Sequence, residues 1–197
     1  KDEVKLLAQE LRRRTKPMII ACNKIDVSGA AERFLRLKKE FPDELLVACS
    51  AESELALREA ARKNLITYVP GEKSFQVVDE KKLNDAQKKA LEYIRENILE
   101  IFGNTGVQQV LDAAVFGLLH YIAIFPGGVN KLEDKEGRAL PDCFLLPQES
   151  TALDFAYKLH TDLGKNFICA KDVRTKRTVG KDYMLKHRDV VEIVSGK

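Results

Sequence analysis

Pro17-Met18-Ile19-Ile20-Ala21-Cys22-Asn23-Lys24-Ile25-Asp26 is the stretch on which the reading of this chain turns. An apolar run delivers a short polar tip. A second apolar run, Leu45-Leu46-Val47-Ala48-Cys49, ends in Ser50-Ala51-Glu52. Short apolar runs bounded by polar turns predict buried strands. In open parallel sheets, ligands bind beyond the carboxyl ends of the strands. The two polar tips are therefore the candidate site.

Helical patterns alternate with these strands. Residues 2–15 place Val4, Leu7, Ala8 and Leu11 on one face, and Lys16-Pro17 stops the helix. Val27-Ser28-Gly29 turns into a helix over 30–40 whose apolar face includes Phe34 and Leu37. Phe41-Pro42-Asp43 breaks it before the second strand, and a helix over 53–63 follows. Glu52 either orients its loop or caps that helix. The order β-α-β-α suits an α/β nucleotide-binding sheet.

Residues 64–82 read as less regular, with Pro70-Gly71 as a turn. Asn84, with Gln87 three residues on, predicts a capped helix carrying Leu91, Ile94, Ile98 and Ile101. Gly103-Asn104 ends it. Thr105 with Gln108 opens another helix, bearing Val107, Val110, Leu111, Ala114 and Leu118. The expectation is a helical hairpin over 84–119 whose stripe packs on the α/β part as core.

From His120 the pattern changes. Tyr121–Phe125 reads as a strand, Pro126-Gly127-Gly128 as a turn, and 129–142 as a charged, Gly/Pro-interrupted stretch. Cys143–Pro147 reads as a second strand. Thr151 with Asp154 caps a helix whose apolar face is Ala152, Phe155, Ala156 and Leu159, closed by Gly164. Strands follow around Phe167–Ala170, Thr178-Val179 and Asp189–Val194. This is the pattern of a small α+β, ubiquitin-like (β-grasp) roll. The expected division is thus 1–66, 67–119 and 120–197.

The 197 residues carry 33 Lys+Arg against 30 Asp+Glu. The last 47 residues, 151–197, hold 10 basic and 6 acidic side chains, so the small excess of positive charge lies there. It points weakly to an acidic partner. Cys22, Cys49, Cys143 and Cys169 lack C-x-x-C spacing, so they read as thiols in a reducing compartment rather than a zinc site or disulfide framework. No run reaches the roughly 18–20 apolar residues of a membrane span. The charged start, Lys1-Asp2-Glu3-Val4, is unlike a signal peptide and lacks Met, which fits a segment of a longer cytoplasmic protein.

Asn23-Lys24-Ile25-Asp26 followed by Ser50-Ala51-Glu52 resembles the guanine-recognition loops of the GTPase superfamily, N-K-x-D and S-A-x. The resemblance implies roles. Asp26 would accept both guanine donors, N1–H and the amine, in a bidentate contact. Asn23 would tie the loop to the base and its neighbours. The Lys24 stem would cover the purine face while its ammonium stays wet. Ser50 would brace the second loop, and the Ala51 N–H would meet the guanine carbonyl. GTP or GDP is the implied ligand. The chain has no G-x-x-x-x-G-K-[ST] phosphate loop. It therefore looks like the later part of a GTPase, unable to hydrolyse GTP by itself. Mg²⁺ would be held by residues outside it, and no catalytic residue is assigned.

Leu153-Asp154-Phe155-Ala156-Tyr157-Lys158-Leu159-His160-Thr161-Asp162-Leu163-Gly164 is similar to the signature helix of TGS domains. The closing D-G-D turn of that family is here Lys186-His187-Arg188-Asp189, without the glycine, before Val190-Val191-Glu192-Ile193. Together the parts resemble the Obg-related, YchF-like GTPases, a partial P-loop GTPase domain with a helical insertion followed by a TGS domain. The family implies a link to ribosomes or RNA. Lys171, Arg174, Lys176, Arg177 and Lys181 read either as a phosphate-contacting patch or as a solvated loop. His120, His160 and His187 have no metal-ligand spacing, and His160 reads as a packed, hydrogen-bonded residue. The alternative reading is a non-catalytic RNA-binding or protein-interaction module with a vestigial nucleotide fold.

Overall fold

β1 (Ile19–Cys22) and β2 (Leu45–Ala48) pair in parallel, Ile19 opposite Leu45 and Cys22 opposite Ala48. That register brings the two polar tips side by side. This is a computed structural model describing residues 2–128 and 142–196. The chain divides into two units, Lys1–Ala114 and Val115–Lys197, and the division falls inside a π-helical stretch, Ala113–Leu118. Expectations for 129–141 lie outside the described residues.

In the first unit, α1 (Asp2–Thr15) precedes β1, and α2 (Ala30–Glu40) links β1 to β2. α3 (Ala51–Arg62) follows β2. The apolar face predicted for α1 is solvent-exposed: Val4 is 70% accessible and Leu7 61%. The stretch expected to be irregular contains a small antiparallel pair, β3 (Ile66–Thr67) and β4 (Gln76–Val77), and a 3-10 turn, Glu80–Lys82. Two-residue strands are too short to show a periodicity, which is why the sequence conceals them.

α4 (Asp85–Ile94) opens with the predicted capping box, Asn84 and Gln87 each holding the other's main-chain N–H. A π-helical turn, Arg95–Leu99, then leads into α5 (Glu100–Phe102), which Gly103 ends in the left-handed region at φ 79°. The wider turn shifts the phase of the stripe. Leu91, Ile94, Ile98 and Leu99 are buried, and Ile101, expected on the same stripe, is exposed. They pack with Ile25, Leu57, Ile66, Tyr68, Phe75 and Leu83 into one core. So the first arm of the expected hairpin is core. The second arm, α6 (Val107–Asp112), passes into the π-helical stretch and buries none of its own residues.

The second unit is the expected α+β roll. Its strands are β5 (Tyr121–Pro126), β6 (Phe144–Pro147), β7 (Phe167–Asp172), β8 (Arg177–Val179) and β9 (Val190–Ser195). They lie in the order β6-β5-β9-β7-β8, with β5 and β9 parallel and the other neighbours antiparallel. α7 (Ala152–Leu159) has the predicted capping box, Thr151 with Asp154. It buries Ala152, Phe155 and Ala156 against Ile122, Ile124, Leu146, Ala170, Leu185 and Val191. Gly164 does not close this helix. α7 ends at Leu159, and Gly164 lies within a further short helix, α8 (Thr161–Lys165), pressed against the Tyr157 ring. Among the described residues no helix is long and apolar enough to cross a membrane.

Candidate functional site

The first loop begins where β1 ends. Lys24 takes a left-handed conformation, φ 64°, which turns the chain so that Ile25 enters the core. The Ile25 N–H donates to the Cys49 carbonyl at 3.1 Å, and the Cys49 N–H donates to the Cys22 carbonyl at 3.0 Å. The parallel ladder thus continues past both strands and locks one tip to the other.

Asn23 completes that lock. Its Oδ1 accepts the Lys24 N–H at 2.8 Å and the Ala51 N–H at 3.0 Å, with the Cys49 Sγ 3.9 Å away. The Ala51 N–H, expected to face a ligand carbonyl, is thus already engaged by the neighbouring loop. Asp26 is half-buried, and its Oδ1 is buried without a hydrogen-bond partner. Lys24 and Glu52 are exposed.

Ser50 is fully buried and caps α3: its hydroxyl accepts the Ser53 N–H at 3.2 Å and donates to the Ser53 hydroxyl at 2.8 Å. The helix therefore starts at Ala51, two residues earlier than expected, and Glu52 is not its cap. The Ser50 N–H donates to the Thr105 carbonyl at 2.8 Å. Thr105 was expected to start a helix. Instead it is buried, its hydroxyl donates to Glu54 Oε2 at 2.6 Å, and Gly106 takes the N-cap position.

Glu54 also accepts from the Tyr68 hydroxyl at 2.7 Å and from Arg58 Nε at 2.6 Å. Burial alone raises a carboxyl pKa. Here the hydrogen bonds from Thr105, Arg58 and Tyr68, with the Arg58 charge, outweigh it and hold Glu54 below its usual range. Tyr68 is pushed up to about 12, by burial first and then by the Glu54 carboxylate. Burial raises the Cys22 thiol, and burial with the neighbouring Cys22 raises Cys49.

Sequence reasoning missed Thr105, Glu54, Tyr68 and Tyr93, whose hydroxyl donates to the Asp26 carbonyl at 2.7 Å. Gly106 was the one available signal. A glycine after Thr105 marks a close approach, and a Cβ there would stand 1.9 Å from the Ala48 carbonyl oxygen.

A cleft of about 360 Å³ lies on the α2 side of the first loop, lined by Asn23, Lys24, Ala30, Arg33, Phe34 and Leu37 among others. It touches neither Asp26 nor Ala51. Among the described residues no cluster of His, Cys, Asp or Glu could hold a metal ion.

In the second unit the basic residues are spread out. Arg174 and Lys176 lie in the β7–β8 turn, with Lys176 at φ 57°, and Arg177 opens β8. Arg174 is engaged locally, its Nη2 donating to the Arg188 carbonyl at 3.0 Å. Lys171 stands in register with Glu192, and Lys181 follows the far end of β8. His160 is not packed. Its side chain is 67% accessible, and its Nδ1 accepts the Asp162 N–H at 3.2 Å.

Comparisons with known proteins agree with this architecture. The family model of the Obg-like GTPase YGR210-like, G4 motif-containing domain matches residues 21–128, and that of the TGS domain matches 131–195. A GTP-binding protein of Methanocaldococcus jannaschii is 46% identical over 190 residues, covering 96% of this chain and 48% of that protein. The crystal structure of a GTP-binding protein from Pyrococcus horikoshii is 41% identical with a TM-score of 0.69, covering 96% of this chain and 48% of that one. The YchF GTPase of Schizosaccharomyces pombe shares the fold at 14% identity, with a TM-score of 0.55 over 98% of this chain and 47% of that one. The chain spans about half the length of these relatives. By the match across 21–128 it belongs to the Obg-like GTPase family, in its YGR210-like branch, with a TGS domain following.

Proposed function

We propose that this chain supplies the guanine-recognising part of a guanine-nucleotide-binding protein whose ligands are GTP and GDP. One observation carries the proposal: Asp26 Oδ1 is buried without a hydrogen-bond partner. A buried acceptor left unmatched costs about 1–3 kcal/mol. A planar base with two adjacent N–H donors relieves that cost. Guanine has such a pair, and adenine places an acceptor where the first donor should be. Asn23 and Ser50 would frame the site, the Lys24 stem would cover the base face, and the Ala51 N–H would serve both Asn23 and the base carbonyl.

The intact protein would hydrolyse GTP with Mg²⁺, using phosphate-positioning groups that this sequence does not include. The TGS domain would contact RNA or the ribosome in the cytoplasm through Lys176, in the β7–β8 turn, and Arg177, at the start of β8.

An amide NMR titration of the chain with guanosine and adenosine tests the base reading. Guanosine should shift residues 23–26 and 50–52 while adenosine leaves them in place. Equal responses, or none at millimolar nucleoside, would sink it. Co-sedimentation with ribosomes and total RNA over a salt series tests the second part. Binding that falls with salt and weakens in Lys176→Glu/Arg177→Glu supports RNA contact. Binding that this variant leaves unchanged removes it.

A further inference from the structure

We infer that Tyr93 and Thr105 are positioning residues for the guanine loops, so that the helical segment sets base selectivity. The inference rests on the guanine reading above. It begins with two contacts made far apart in sequence. Tyr93, on α4, donates its hydroxyl to the Asp26 carbonyl at 2.7 Å, across 67 positions. Thr105, after α5, accepts the Ser50 N–H on its carbonyl at 2.8 Å. One segment therefore holds each loop at one point.

Neither contact faces the base. Each fixes main chain from which a base-contacting group projects. Asp26 lies just after the left-handed Lys24, in a turn otherwise closed by the Val27 N–H to the Lys24 carbonyl at 3.2 Å. Holding its carbonyl sets where the buried Oδ1 points. The Thr105 hydroxyl is pinned in turn by Glu54, and Gly106 packs against Ala48 and Cys49. That pair fixes the height of Ser50 and Ala51 above β2. A bidentate contact needs its acceptor placed within about 0.5 Å and 10–20°, so small releases of either loop lower discrimination before they lower folding.

Guanosine and inosine separate these effects. Inosine keeps N1–H and the carbonyl but lacks the amine, so the guanosine:inosine affinity ratio reads how well Asp26 meets the second donor. Both nucleosides are titrated into the full chain, with melting temperature measured in parallel. Tyr93→Phe should weaken guanosine binding roughly three- to tenfold and move the ratio towards one. Thr105→Val should act likewise, and Thr105→Ser should restore the wild-type ratio. Asp26→Ala is the control. If it abolishes the preference while Tyr93→Phe and Thr105→Val keep the wild-type ratio, the positioning role is overturned and the guanine reading stands. A variant that melts earlier yet keeps the ratio is merely structural and also overturns it. If Asp26→Ala binds guanosine as well as wild type, the guanine reading itself fails.

Discussion

The Asn23 Oδ1 accepts the Ala51 main-chain N–H at 3.0 Å, so one side chain joins two loops that arrive from different strands. Asn23→Ala removes this contact and the one to the Lys24 N–H. Guanosine affinity is expected to fall about tenfold, with a stability loss of about 1 kcal/mol, since the site is exposed and water replaces part of the bonding. Calorimetric titration and urea unfolding check the two values.

Acid and alkali should act through Glu54 and Tyr68. Because the folded pKa of Glu54 lies below the usual 4.5, its contribution is complete above 4.5 and is lost as pH falls through the depressed folded value. Because Tyr68 is raised from 10.0 to about 12, its contribution is complete below 10.0 and is lost between 10.0 and about 12. Urea midpoints measured against pH should show both declines. Glu54→Gln should be less stable at neutral pH and flatter in the acid window.

Gly106→Ala is expected to destabilise the first unit by about 2–4 kcal/mol. The new Cβ meets the Ala48 carbonyl oxygen at 1.9 Å and the Cys49 Cα at 2.7 Å, both main chain, at a φ of 80° that resists a side chain. Thermal unfolding measures the loss. Gly103→Ala, with the same sign of φ and open space around it, should cost less.

Arg188 occupies the left-handed region at φ 68°, in the turn where the resemblance to TGS domains implies a glycine. Its N–H donates to the Ala123 carbonyl at 2.7 Å, and the His187 Nδ1 accepts the Ala123 N–H at 3.2 Å. These two bonds tie the turn to β5. Arg188→Gly should raise stability by about 0.5–1 kcal/mol by removing the strain of a side chain at positive φ, read from the melting temperature.

The parts legible in the sequence are those written locally. Asn84 with Gln87 and Thr151 with Asp154 announce their helices within four residues, and both boxes are formed. The β1 and β2 runs end in polar tips that chain order alone brings together. What was not legible depends on distance or on counting. Thr105 looks like a cap because a threonine before a polar i+3 residue suits one. Its use as the partner of Ser50 and Glu54 requires knowing that the two segments meet. Ile101 falls off the stripe because the π-helical turn at Arg95–Leu99 changes the residues per turn, which composition does not announce.

The thiols carry a practical consequence. Thiolates are the reactive form of cysteine, and Cys22 and Cys49, beneath the two loops, are shifted away from it, whereas Cys143 lies exposed before β6. Maleimide is expected to modify Cys143 before Cys49, which timed labelling with peptide mass mapping checks. A fluorophore or spin label placed at Cys143 by limited labelling would leave the loops that follow β1 and β2 chemically native for the titrations.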